Sequence, residues 1–387
     1  LDKEIEMSWM REYVEKSDCG LTVLQTSGDA VKTILFCEEQ FLKGKNVRPQ
    51  FPGRNVGMMF GLESSLHPFI GHPSYREIAD LPLSERVKIM KDPAFKEKLL
   101  NEKPNFASEI EKSMNEQGNT KSQEEIREAA NLGLKLISNY DTQFILGDPP
   151  NYEPGKEDSI AALAKSKGIA ELEVIYDEFL KNEGTNLVYA CFTPYDNHKL
   201  DFVERAYSLK SSVAGGSDGG AHCGLICDAS MPTTNLSHWA RDREAGKKIP
   251  IELIVRKQTK DTAETYGLFD RGEIKTGMLA DLNIIDFEKL NVTHPKMVYD
   301  LPLGGRRLIQ TSSGYLATVK SGEVVYEAGE ATGVLPGKLI RGKQTCEVKT
   351  EKERVPFIDR TLRLMSVKAF KLLWNFRKSS VKTTVVS

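Results

Sequence analysis

The run Gly215-Gly216-Ser217-Asp218-Gly219-Gly220-Ala221-His222 constrains this chain more than any other stretch. The apolar Ser212-Val213-Ala214 leads into it, so it reads as a strand that ends in a carboxylate, with an imidazole four residues on. Its four glycines let the backbone turn sharply and let a ligand approach closely. In a parallel α/β sheet Asp218 would sit at the C-terminal end of its strand, where such folds keep their chemistry. The residue types read equally well as a strand-to-loop turn whose aspartate caps local backbone.

The chain before this run predicts α/β alternation. Charged residues 3–17, with Ile5, Trp9, Met10 and Val14 at helical spacing, predict a helix. A buried strand over 21–25 follows, then a helix from Ala30 to Lys43 with Val31, Ile34, Leu35 and Leu42 on one face, then a strand over 46–51. Residues 57–74 read as loop, because glycines and prolines punctuate them. A polar helical insertion spans about 78–140, with one helix start signalled by Ser84 and a solvated loop at Asn115–Ser122. Helices over 159–164 and 170–182 lead to the apolar strand 186–192, and a helix over 198–209 leads to the glycine-rich run. Thr233 and Thr234 predict the cap of a helix through Arg243, and Pro250 starts another over 251–266. From Gly267 the texture changes to a small β region, with strands around 282–286, 318–319 and 324–326 and a tight hairpin at Ser321-Gly322. The tail from Gly342 carries eleven Lys/Arg against four Asp/Glu. Its residues 362–376 fit a basic amphipathic helix, expected to dock on its own domain rather than on a membrane.

Composition narrows the class. At 387 residues, 40% hydrophobic and 28% charged, the chain suits a soluble globular protein of one large domain with an appendage, or of two domains. A net charge of -2 gives no reason to expect nucleic acid as the main partner, and no apolar run reaches the length of a membrane span. Six scattered cysteines suggest reduced thiols and a cytoplasmic protein. No nucleophile elbow, phosphate loop or dinucleotide fingerprint appears, so no bound organic cofactor is expected. His67 and His72 are five apart without an acid or cysteine at ligand spacing, and read as satisfied loop histidines rather than a metal pair. The group His222, Cys223, Cys227 and Asp228 has only a weak zinc-like spacing, and Cys191 reads as core.

Taken in order, Ser217-Asp218-Gly219-Gly220-Ala221-His222, Cys227-Asp228-Ala229, Gln258-Thr259, Tyr266-Gly267-Leu268-Phe269-Asp270-Arg271-Gly272 and Gly277-Met278-Leu279-Ala280-Asp281-Leu282 followed by an apolar strand resemble the amidohydrolase superfamily. Within it the chain looks most like the N-acyl-D-amino-acid deacylase branch. The resemblance is carried by about 186–342, is fainter over 1–185, and is absent from the tail. It implies the C-terminal half of a (β/α)₈ TIM-type barrel over 1–266, part of a small β-sandwich over 267–342, and a basic tail over 343–387. It implies hydrolysis of non-peptide carbon–nitrogen bonds in small N-acyl amino acids, of D configuration in this branch, with one or two zinc ions. Asp218 would touch the metal and shuttle the proton, and His222 would contact the substrate or the metal-bound intermediate; the alternative for His222 is a loop histidine bonding backbone.

Several features depart from that pattern. The family's early H-x-H pair is missing, and only four candidate barrel strands can be counted: 21–25, 46–51, 186–192 and 212–218. Strands of the family that end in metal-binding histidines end here in Gln25 and Gln50, and a glutamine amide is a poor zinc ligand. A half barrel leaves open edges. With Leu1 at the start, the expectation is a fragment lacking an N-terminal half, whose metal ligands lie mostly outside this chain. The rival expectation is a catalytically inactive binding or scaffold protein that keeps the fold.

Overall fold

The structure is a computed structural model that describes residues 3–25, 31–106, 122–342 and 383–386. It is a mixed α/β arrangement. Six strands position the site: β1 (Leu21–Leu24), β2 (Val47–Pro52), β3 (Val56–Phe60), β4 (Gln143–Ile145), β5 (Val188–Thr193) and β6 (Val213–Gly215). The first sheet has the order β1-β2-β6, all parallel. Its central strand carries two prolines at positions that spare the ladder. Pro49 precedes the stretch paired with β6, and Pro52 lies beyond the stretch paired with β1.

The strand expected over 186–192 forms as β5, but it is not part of that parallel sheet. It pairs antiparallel with β3 on one side and β4 on the other. The physical reason is that β2 pairs directly with β6, so no slot exists between them. Val188, Tyr189, Ala190 and Cys191 are buried on both faces. A doubly covered strand reads as an unbroken apolar run whether its neighbours are parallel or not. Three of the four candidate barrel strands therefore stand together and the fourth does not.

Residues 57–60, expected as loop, belong to β3. Gly57 is there for close approach rather than for a turn: a Cβ on it would lie 2.5 Å from the Ala190 carbonyl oxygen and 2.6 Å from the Tyr189 ring. The sheet β3-β5-β4 is packed by helices Leu83–Met90, Ile160–Lys167 and Glu171–Phe179. Ile175, Tyr176 and Phe179 are completely buried there, each worth roughly 1.5–3 kcal/mol of burial. His67 and His72 lie in this core. His67 accepts from the Phe69 amide at 3.2 Å and meets the Tyr75 ring edge-on at 4.8 Å. Burial pushes its pKa down to about 3, and burial likewise lowers that of His72.

The first two helices turn differently from expectation. Lys3–Lys16 buries Met7, Met10 and Val14 but exposes Ile5 and Trp9. Val31–Leu42 buries Phe36 and Cys37 and exposes Val31, Leu35 and Leu42. Both helices carry two overlapping apolar faces, and contact with β1 and β2 selects the one that includes the larger and softer side chains. The insertion holds helices Leu83–Met90, Pro93–Asn101 and Gln123–Ile137. Pro82, not Ser84, occupies the N-cap position of the first of them, and no side chain caps it. Ser122 caps the third through a reciprocal pair of bonds with Glu125, while most of the expected loop before it lies outside the described residues. The helix predicted through Arg243 is a short α-helix, Met231–Thr234, running into a π-helix, Asn235–Asp242. Thr233 and Thr234 lie inside it, and the helix predicted over 251–266 breaks at Thr259.

The β region follows with β7 (Leu282–Asp286), β8 (Asn291–Val292), β9 (Lys296–Leu301), β10 (Gly305–Ile309), β11 (Ser312–Ser313), β12 (Tyr315–Lys320), β13 (Glu323–Glu327), β14 (Glu330–Ala331) and β15 (Thr383–Val386). One five-stranded sheet has the order β14-β13-β12-β7-β15. The Ser321-Gly322 turn joins β12 to β13, with both residues at positive φ as such a turn requires. The amphipathic helix expected in the tail lies outside the described residues; β15 places the last part of the chain against β7.

Candidate functional site

The glycine-rich run sits at the C-terminal edge of the parallel sheet, as its pattern suggests. β6 ends at Gly215, three residues before Asp218. The Gln50 side chain lies across Gly215, with Nε2 only 1.9 Å from where a Cβ would be, so any larger residue there would have to displace it. Gly216 turns the chain at φ 80°, against Pro52. Asp218 then adopts φ 38° and His222 φ 47°, left-handed conformations that cost a side-chain-bearing residue free energy and cluster at functional sites. One-turn bonds hold the loop: the Ala221 amide donates to the Asp218 carbonyl at 2.9 Å, and the Leu225 and Ile226 amides donate to the His222 carbonyl at 2.8 and 2.9 Å. The Asp218 and His222 side chains are exposed, and neither makes a hydrogen bond to a described residue.

Beneath the loop lies a buried charged cluster. Arg54, in the turn between β2 and β3, is completely buried. Its Nη2 donates to Asp228 Oδ1 and to the Cys227 carbonyl, both at 3.0 Å, and its Nη1 donates to Thr234 Oγ1 at 3.1 Å. The guanidinium stacks 3.6 Å over the Tyr152 ring. Burial works against the Arg54 charge, but Tyr152, Asp228 and Tyr189 more than offset it, and its pKa is raised. Burial raises the Asp228 pKa despite Arg54, and the charge of Asp218 raises it further. Burial also raises the Cys191 thiol and pushes that of Cys227 up to about 11, so both behave as core residues rather than as thiolate ligands.

A second network adjoins the first. Glu153 accepts from Arg243 through both oxygens at 3.0 Å and from His238 Nε2 at 2.8 Å. Tyr152, Glu153, His198, Thr234 and His238 line a cavity of about 590 Å³ beside Arg54, and Asp218 is not among its walls. Asp218 is exposed and lies outside this cavity.

Among the described residues no three His, Cys, Asp or Glu side chains gather as a metal site. Asp228 is taken by Arg54, and the imagined group of His222, Cys223, Cys227 and Asp228 does not assemble. Gln25 is buried and turned to the Val23 carbonyl. The residues present do not by themselves fit a bound zinc. Sequence reading missed Arg54, Glu153, His238 and Arg243. Glu153 and Arg243 lie in polar, charged stretches that give no local signal of burial, and Pro52-Gly53 disguised Arg54 as part of a break.

The sequence profile of the amidohydrolase family matches residues 151–326, which bears out the resemblance to that superfamily. Among solved structures, D-aminoacylase, described as defining a novel subset of amidohydrolases, is 15% identical over 86% of this chain and 52% of its own, with a TM-score of 0.39. An N-acyl-D-glutamate deacylase from Bordetella bronchiseptica, complexed with zinc and a phosphonate inhibitor, is 14% identical over 88% of this chain and 52% of its own, also with a TM-score of 0.39. The chain spans about half the length of the solved structures it matches. No curated protein matches it. Among the described residues no helix is long and apolar enough to cross a membrane.

Proposed function

We propose that this chain supplies the Asp218 edge of an amidohydrolase site that cleaves the amide bond of small N-acyl amino acids, of D configuration. The observation that carries the reading is the position of Asp218. It follows the last strand of a parallel sheet, on a left-handed turn, with its carboxylate free toward solvent. The family match over 151–326 supports the same reaction class. In this reading β1, β2 and β6 belong to a TIM-type barrel within 1–266, with the insertion at 78–140, and the β region of 267–342 is part of a sandwich.

The chemistry asked of this chain is proton transfer. An ionised Asp218 takes a proton from the attacking water and returns it to the departing amine, a role typically worth roughly 10²–10⁴-fold in rate. His222, four residues on and equally exposed, is placed to hold the substrate carbonyl or carboxylate. The zinc expected from the resemblance needs donors beyond those described here, so no step is assigned to it.

The test is Asp218→Asn in the full-length protein, assayed on a panel of N-acyl-D- and N-acyl-L-amino acids beside thermal unfolding. Turnover should fall at least about 100-fold while the melting temperature holds, because asparagine keeps the shape but cannot accept the proton. Asparagine caps a turn as well as aspartate does, so activity within a few-fold of wild type would show Asp218 to be structural.

A second reading is favoured by the lack of a metal cluster among the described residues and by Gln25 just past the end of β1, with Gln50, expected at the end of its strand, lying inside β2 instead. Under it the protein is a non-catalytic binding or scaffold relative. It predicts no stoichiometric zinc by elemental analysis of the full-length protein, and about one ion per chain would exclude it.

A further inference from the structure

We infer that Arg54 is the positioning residue of the Asp218 loop, and the inference rests on reading Asp218 as the reacting carboxylate. The loop leaves the sheet at Gly215 and comes back to the core at Cys227-Asp228. Between these points, residues 216–222 make no backbone bond to described residues outside their own turn, while the Cys223, Gly224 and Leu225 carbonyls accept from the Leu308, Ser65 and Met59 amides. Arg54 closes the far end. One guanidinium nitrogen holds both the Cys227 carbonyl and the Asp228 carboxylate, and the other holds Thr234 at the start of the following helix. It is the charged link between the C-terminal end of β2 and the end of the loop.

The place of Arg54 is itself over-determined. A Cβ on Gly53 would overlap the Asn235 side chain at 1.9 Å, and the Gly53 carbonyl accepts from Trp239 Nε1 at 2.6 Å. Tyr152 covers one face of the guanidinium. A buried ion pair is commonly no more stabilising than apolar residues of the same size, so stability alone gives little reason for one here. What a planar fork adds is geometry: fixed directions to a carbonyl and a carboxylate at once. The element it fixes is the one that carries Asp218.

The test uses hydrogen exchange read by mass spectrometry on the full chain, with Arg54→Lys and the double variant Arg54→Met/Asp228→Leu. The double variant removes both charges and keeps apolar bulk, so its melting temperature should stay near wild type. Exchange at the Ala221, Leu225 and Ile226 amides should rise at least about tenfold, as expected for a lost charge-assisted anchor, while the β3–β5 ladder stays protected. Arg54→Lys keeps the charge without the fork and should give the same loop-confined change in smaller measure; it decides the matter if the double variant does not fold. Unchanged loop exchange, or a rise shared equally by β3 and β5, would overturn the inference. Deacylation of N-acyl-D-amino acids is measured on the same samples. Where wild type turns over, kcat should drop with KM held. If wild type shows no turnover, the reading of Asp218 fails while the exchange result still stands or falls by itself.

Discussion

The network around Glu153 makes a quantitative prediction. The Glu153 side chain is 2% exposed and Arg243 is fully buried, and the two are joined by a bidentate pair of 3.0 Å bonds. Burial alone would raise the Glu153 pKa, but hydrogen bonds and charge from His238 and Arg243 overcome it and lower it from 4.5 to about 2. A carboxyl whose folded pKa lies below its unfolded value contributes stability that is fully present above the unfolded value. That contribution is lost as pH falls toward the folded value. At about 1.4 kcal/mol per pH unit the contribution is roughly 3 kcal/mol, lost between about pH 4.5 and pH 2. Glu153→Gln removes the titrating group and the bidentate partner of Arg243, which keeps Glu204 and the Lys247 carbonyl; the cost near neutral pH should therefore stay below the roughly 3–5 kcal/mol of a buried charge left with no partner. The assay is guanidinium unfolding of both proteins from about pH 7 down to pH 2. Other carboxylates titrate in both proteins and cancel in the difference. The stability gap should be constant above about pH 5 and close by roughly 3 kcal/mol toward pH 2. A gap that stays constant across the whole range would show that Glu153 does not carry the shift assigned to it.

Other expected outcomes follow from single contacts. Gly57→Ala should destabilise by about 1–3 kcal/mol or more, because its Cβ would press on the Ala190 backbone, which cannot swing away; a change below about 0.5 kcal/mol would mean β3 and β5 are not in this register. Ser122→Ala removes a capping box and should cost about 1 kcal/mol, read by chemical denaturation, with Ser122→Asp nearly neutral.

How much of this was legible in the sequence depends on which force placed each residue. The glycine-rich run was legible as a turn after a strand, because glycine is the residue that takes the positive φ found at Gly216; that Gln50 crowds Gly215 was not, since Gln50 comes from another strand. Helix existence was legible from periodicity, and the hairpin at Ser321-Gly322 from turn chemistry. The partner of β5 was not, since an apolar run buried on both faces carries no mark of strand direction. The buried face of Val31–Leu42 was not, because Phe36 and Leu35 are equally apolar and only the sheet chooses between them. The ion pairs were the least legible: Arg54 and Asp228 lie 174 positions apart in sequence, and nothing local announces that two charged residues will meet in a core.

The site shows the same division of labour in physical form. Asp218 and His222 stand free on a left-handed turn, while the residues that hold that turn are buried and bonded to several partners each. A carboxylate meant only to cap a loop would be expected to bond the loop's own amides, as Ser122 does at its helix, yet Asp218 gives its carbonyl to Ala221 and keeps its carboxylate unengaged. Leu24 on β1 and Val31, Leu35 and Leu42 on the helix that follows it are exposed, whereas Asp218 follows β6 at the opposite edge of the same three-stranded sheet. A parallel sheet is stable when both faces and edges are covered. Covering the β1 edge and enclosing Asp218 beyond β6 are therefore separate demands, and the two readings of the protein part on whether metal donors stand beside Asp218.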